Sequence, residues 1–358
     1  MSLSVGIVGL PNVGKSTLFN ALTKNRVLAA NYPFATIEPN VGIVNVADKR
    51  LEELARISQS EKVIPATCTF VDIAGIVRGA SKGEGLGNKF LSHIRESNVI
   101  AQVVRAFEND DIVHVEGKID PAQDIDIIRT ELCLADIESI TKKIDKLEKE
   151  RKTNPKVFSQ ISELHKMLDI LNKSELLSSQ MTDFPEAVQD LQLLTVKKFV
   201  YIFNIDEETL SNKNKQEELA KLTNNSPAVF LCAQLESELQ DMPKKEALEL
   251  LKSLGQSESG VDKLIGLSYQ TLGYISYYTT GPQESRAWTI TKGDTAPQAA
   301  GVIHTDFETG FIKAEVVSFE DFVNCNGWSG AKDAGKVRLE GKDYIVQDDD
   351  VIVFRFNK

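Results

Sequence analysis

The sequence predicts an α/β protein in three parts: a parallel-sheet domain, a helical insertion within it, and a small β-rich domain towards the C-terminal end. Three observations predict this. Short apolar segments bounded by turns alternate with helical stretches early in the chain, the rhythm of βαβ units. A long stretch with apolar residues three and four apart follows. After Gly281-Pro282 the pattern turns to closely spaced strands.

Six segments rich in Val, Ile or Phe read as strands of the first domain: Ser4 to Gly9, Val41 to Val46, Thr67 to Asp72, Val99 to Phe107, Lys198 to Asn204 and Val229 to Cys232. From about Asp120 to Leu194, residues such as Ile127, Ile128, Leu132, Ile137, Ile140, Ile144 and Leu147 mark a helical hairpin. The C-terminal strands are Arg286 to Thr291, Phe311 to Val317, Val337 to Leu339 and Asp343 to Phe356, with Pro297 to Ile303 supplying a helix. The expected domains are therefore 1-119 with 195-280, 120-194, and 281-358.

Bulk properties narrow the function. A net charge of -11 argues against general nucleic-acid binding, because an acidic chain is repelled by phosphate at long range. The stretch Lys142 to Lys156 is a local exception, with seven basic residues against three acidic ones. A solvated, ion-paired helix face and an RNA-facing tip both fit it. The opening MSLSVGIVGL lacks a signal-peptide pattern and no segment approaches the ~18 apolar residues of a membrane span, so no membrane association and a cytoplasmic location are expected. Four dispersed cysteines without a CxxC pair predict neither disulfide nor structural metal.

The chemistry is concentrated in a few motifs. Gly9-Leu10-Pro11-Asn12-Val13-Gly14-Lys15-Ser16 matches GxxxxGK[ST] between an apolar strand and a helical pattern, the P-loop context. Backbone N–H groups of such a loop wrap phosphates, with Val13, Gly14 and Thr17 contributing here. Lys15 neutralises charge at the β- and γ-phosphates, and Ser16 offers a hydroxyl to Mg²⁺. Asp72-Ile73-Ala74-Gly75 supplies a DxxG at a strand end, with Asp72 toward the metal and the Gly75 N–H toward the γ-phosphate. Thr36 is a further candidate hydroxyl ligand. The glycine-rich stretch after Asp72 fits an order-disorder switch, or an ordinary flexible loop.

Asn204-Ile205-Asp206-Glu207 stands where a GTPase carries Asn-Lys-x-Asp, so Asn204 and Glu207 are expected to flank the base, with Ile205 replacing the lysine. Moving the carboxylate by a methylene weakens guanine discrimination, since such buried contacts carry roughly 10⁴ to 10⁵-fold selectivity. Ile76 follows Gly75 where Ras-like enzymes place a water-orienting Gln. His93 is the histidine nearest the expected γ-phosphate and a candidate catalytic group beside Lys15. On spacing alone a surface or core histidine fits equally.

The string Gly6 to Thr23, together with Tyr32 to Asn40, Asp72 to Val77, Gly83 to Leu91, Arg105 to Asp111 and Lys342 to Val346, resembles the YchF subfamily of Obg-like ATPases across essentially the whole chain. The resemblance implies a P-loop GTPase-like parallel sheet, a coiled-coil-like helical insertion and a C-terminal β-grasp TGS domain. It also implies ATP hydrolysis at least as good as GTP hydrolysis, ribosome association, and a catalytic role for the histidine at His93. Potassium-stimulated GTPases of this class carry an asparagine at the Asn12 position, which makes K⁺ a second candidate cation after Mg²⁺. Asp349 departs from the pattern, since glycine is expected in that tight turn. The reading is a ribosome-associated ATP-hydrolysing switch. Its rivals are a GTP-specific regulatory GTPase and a ribosome-binding scaffold with a structural nucleotide.

Overall fold

The computed structural model describes residues 4–24, 40–73, 75, 79, 86–109, 112, 117–150 and 157–357. Its strands, in chain order, are β1 (Ser4–Gly9), β2 (Asn40–Asn45), β3 (Lys62–Ile64), β4 (Thr67–Asp72), β5 (Val99–Arg105) and β6 (Lys198–Asn204). They continue with β7 (Ala228–Leu231), β8 (Tyr274–Thr280), β9 (Glu284–Thr291), β10 (Phe311–Ser318), β11 (Arg338–Glu340) and β12 (Asp350–Phe356). Two compact units divide the chain, Met1–Val44 with Thr69–Ser268, and Asn45–Cys68 with Tyr269–Lys358.

The first unit holds a six-stranded sheet of order β2-β4-β1-β5-β6-β7, in which β1 pairs parallel with β4 and β5, β5 with β6, and β6 with β7. Every residue of β5 is buried, as a strand covered on both faces requires, and Val, Ile and Ala fill it apart from the buried Gln102 and Arg105. Helix α1 (Lys15–Thr23) follows β1 and turns Leu18, Phe19, Ala21 and Leu22 inward. The P-loop and the ends of β4, β5, β6 and β7 thus lie at the C-terminal edge of the parallel strands, where open α/β sheets bind ligands.

The helical stretch is a hairpin. Helix Pro121–Glu150 packs Cys133, Ile140, Ile144 and Leu147 against Val157, Ile161, Leu164, Met167 and Leu171 of helix Val157–Leu171. Each such side chain, taken from water, contributes about 1.5–3 kcal/mol before entropy is charged. The structure also assigns partners to two lysines of the basic tip: Lys142 pairs with Glu138 at 2.5 Å, and Lys143 with Asp190 at 2.9 Å. Arg151, Lys152 and Lys156 lie outside the described residues.

In the second unit the sheet order is β11-β10-β12-β8-β9-β3. A β8–β9 hairpin, a helix at Ala296–Ile303 and a β12 strand parallel to β8 give the β-grasp arrangement. Ala296, Ala299 and Ala300 let that helix approach the sheet closely, and Tyr277 Oη donates to the Ala299 carbonyl at 2.9 Å.

Some boundaries differ from expectation, for local reasons. Sequence reading starts the last strand at Asp343, but β12 begins at Asp350. Asp350 accepts from the Gln347 N–H at 2.9 Å and the Tyr344 hydroxyl at 2.7 Å, and Asp349 sits at φ +96°, so the approach is a turn. Strand β8 precedes Gly281, within the segment assigned to the first domain, yet pairs along its length with β9. Strand β3 was not anticipated, and joins this same sheet beside β9.

Candidate nucleotide-binding site

The P-loop is fixed from beneath by apolar side chains and shaped by two left-handed residues. Leu10 and Val13 are buried, while Asn12 stands at φ +63° and Gly14 at φ +96°. A side chain on Gly14 would be strained and would also overlap the Asn204 amide. Gly14 caps α1 without a side-chain hydrogen bond, and no acidic residue lies in the first turn. The first N–H groups of the helix therefore face outward, backed by the positive end of its dipole, and suit an anion.

Lys15 sits at this point, and burial pulls its ammonium below the usual lysine range while the negative charge of Asp72 opposes the shift. Asp72 mirrors it. Burial raises its carboxyl, against the opposing effects of Lys15 and a hydrogen bond from Asn40. Gly75 lies close by: a Cβ there would come within 3.5 Å of Lys15 Nζ and 3.4 Å of the Gly9 carbonyl and Pro11 nitrogen. A half-buried Asp72 carboxylate next to Lys15, and an exposed Ser16 that follows Lys15 in the chain, are the hard-oxygen donors that suit Mg²⁺, which takes few protein ligands and completes its shell with phosphates and water. Thr36 and Ile76 lie outside the described residues.

A cavity of about 1040 Å³ opens beside the loop, lined by Asn12, Gly14, Lys15, Ser16 and Thr17 and by the ends of β5, β6 and β7. Asn204, Ile205 and Glu207 all line it. Asn204 is 5% exposed and ties two loops together, its Nδ2 donating to the Val13 carbonyl at 3.0 Å and its Oδ1 accepting from the Ala233 N–H at 2.9 Å. Asp206 is committed as a helix cap, accepting from the Thr209 N–H at 2.8 Å. Glu207 is exposed and opens the helix Glu207–Ser211. Ile205, 1% exposed, and the exposed Glu207 thus stand at the cavity in the positions where the Asn-Lys-x-Asp motif carries lysine and aspartate.

His93 lies on helix Leu86–Glu96, half-buried, with its carbonyl accepting from Ser97 Oγ at 3.2 Å. It is not among the residues lining the cavity. Sequence reading missed a different wall of the site: Phe107, Glu108, Asn109 and Ile112 line the cavity. The signal available for this wall was the Arg105 to Asp111 string that carries the family resemblance, which spans Phe107, Glu108 and Asn109.

Comparison with known proteins places this geometry. A profile described as "50S ribosome-binding GTPase" matches residues 4–205, and one for the YchF GTPase C-terminal domain, described as a protein of unknown function, matches 274–357. The chain is 52% identical over 362 residues to "Ribosome-binding ATPase YchF" of Haemophilus influenzae, with 100% of both chains covered. The chain belongs to the YchF family. The Bacillus subtilis YchF of the same name is 49% identical over 367 residues, again across 100% of each chain. The solved Schizosaccharomyces pombe YchF GTPase aligns with TM-score 0.84 at 36% identity, covering 99% of this chain and 98% of its own. The YchF fold is thus a P-loop GTPase-type domain with a helical region and a C-terminal YchF domain.

Proposed function

We propose that this chain is a ribosome-associated nucleoside triphosphatase that hydrolyses ATP to ADP and phosphate and acts as a nucleotide-dependent switch in the cytoplasm. The observation that carries the proposal is the juxtaposition of a Lys15–Asp72–Gly75 phosphate cradle with a base end built from Asn204, Ile205 and Glu207. Ribosome binding and ATP come from the names of its full-length relatives. The S. pombe relative is titled a GTPase, which keeps GTP as the competing nucleotide.

Each residue has a role in this reading. The α1 N-terminus and Lys15 hold the β- and γ-phosphates, since a partly desolvated ammonium interacts strongly with phosphate charge. Ser16, Asp72 and Thr36 hold Mg²⁺, which when bound neutralises phosphate charge. The Gly75 N–H senses the γ-phosphate, and a Cβ at Gly75 would stand in ordinary contact with Lys15 Nζ, 3.5 Å away. Ile205 gives the base an aliphatic surface, and adenine has no 2-amino group to miss the aspartate of a guanine site. His93 orients water, Asn12 serves a K⁺ ion, and the segment 120-194 is the arm that meets the ribosome.

Calorimetry with ATP and GTP, paired with single-turnover hydrolysis of Lys15→Ala, tests the proposal. The expected result is tighter ATP binding in the wild type and loss of hydrolysis in the mutant. Near-normal turnover by folded Lys15→Ala overturns the site assignment, and tighter GTP binding overturns the nucleotide assignment.

A further inference from the structure

Arg105 closes β5 and is 1% exposed, heading the fully buried side chains by volume. A buried guanidinium is costly unless its donors are satisfied. Here they go to the loop that follows: Nε donates to the Phe107 carbonyl at 3.3 Å, Nη2 to Asn109 at 3.1 Å and Nη1 to Ile112 at 2.9 Å. The guanidinium carbon also lies 4.6 Å from the Phe107 ring centroid. The same three residues line the nucleotide cavity. At the start of the loop, the Ala106 N–H donates to the Asn204 carbonyl at 2.8 Å, which ties it to the base end of β6.

A planar fork holding the carbonyls of Phe107, Asn109 and Ile112 ties these three residues to the end of β5. With the carbonyls held there, the loop can offer the Phe107 ring to the cavity. Lysine, a point charge with one nitrogen, cannot reproduce such a fork. We infer that Arg105 is a positioning residue for nucleoside binding, acting through Phe107. The inference rests on the nucleotide reading above and deepens it, because it assigns the wall that grips the nucleoside to a side chain that does not itself line the cavity.

The test is a cycle of Arg105→Lys, Phe107→Ala and the double variant in the full chain, measuring ATP affinity by calorimetry and KM with kcat for hydrolysis. Arg105→Lys is expected to weaken ATP binding about ten-fold or more and to raise KM while kcat stays within about two-fold, the pattern of lost uniform binding. The double variant is expected to bind within about two-fold of the weaker single variant, because both remove one device. Unchanged affinity in Arg105→Lys overturns the inference, as do multiplicative losses in the double variant or a fall confined to kcat. If Arg105→Lys fails to fold, Arg105→Gln, which retains an amide donor, is put through the same cycle. Failure of the wild type to bind ATP would instead sink the nucleotide reading itself, and this inference with it.

Discussion

Replacing Gly14 by alanine tests the architecture of the P-loop most directly, because two separate costs can be worked out for it. At φ +96° an L-residue is disfavoured by about 1–2 kcal/mol. The added methyl also overlaps Asn204 Nδ2, a buried amide held by the Val13 carbonyl at 3.0 Å and the Ala233 N–H at 2.9 Å. Displacing that amide forfeits two buried hydrogen bonds, about 1–1.5 kcal/mol each. Gly14→Ala should therefore cost about 3–5 kcal/mol. Asn204→Ala loses the same two bonds without the backbone strain, so it should cost about 2–3 kcal/mol.

The two costs share a term. In the double variant the methyl no longer meets an amide and the hydrogen bonds are lost only once, so the total should again be about 3–5 kcal/mol rather than the 5–8 kcal/mol of the sum. Urea unfolding of the four proteins followed by far-UV circular dichroism measures this, since both tryptophans, Trp288 and Trp328, lie in the second unit and do not report on the loop. Additive losses would refute the claim that Asn204 is what Gly14 must avoid. A Gly14→Ala protein of wild-type stability would refute the strain as well.

Three further outcomes are expected. His93→Ala should lower single-turnover hydrolysis much more than ATP affinity, as befits a group acting on the transition state, and an unchanged rate would return His93 to a structural role. Co-sedimentation with ribosomal particles should weaken when Lys146 and Lys149 are reversed to Glu. Reversing Lys142 and Lys143 also breaks their pairs with Glu138 and Asp190, and survival of binding in the first variant would leave the tip an ion-paired solvated face. Asp349→Gly should stabilise the second unit by about 0.5–1 kcal/mol, read by Trp288 and Trp328 fluorescence, because Asp349 occupies φ +96° while only its backbone is needed by Ser276 and Phe319. Burial, then Asp350 and Asp348, raise its carboxyl, so the folded state prefers it protonated. The gain should be largest near neutral pH and shrink as pH falls toward the unfolded value of about 3.9, and the opposite trend would contradict the assignment.

How much of this was legible in the sequence depends on whether the signal was local. β1, β4 and β6 fall at the expected residues: β1 and β6 are buried almost throughout and read as apolar runs, while β4 alternates buried Cys68 and Phe70 with less buried neighbours, and both patterns are visible in one dimension. The P-loop was legible for a similar reason: glycine at φ +96° and lysine at a helix start are demands of a single turn. Strand β3 was not legible, since Lys62-Val63-Ile64 carries too little pattern to announce a partner more than two hundred residues away in β9. Arg105 was hidden in the opposite sense. A charged residue ending an apolar strand ordinarily marks the return to solvent, and nothing in its neighbours reveals that its donors turn back onto Phe107, Asn109 and Ile112. Asn204 combines both cases: its place in the order of motifs pointed to the base site, while its bonds to Val13 and Ala233, residues distant in the chain, exist only once β1, β6 and β7 are laid in one sheet. What sequence yields at such a site is the chemistry of the side chains. Which of those side chains grip a ligand and which grip the loops around it is decided by strand order, and that makes the Gly14–Asn204 pair a sharper probe of this fold than any motif residue taken singly.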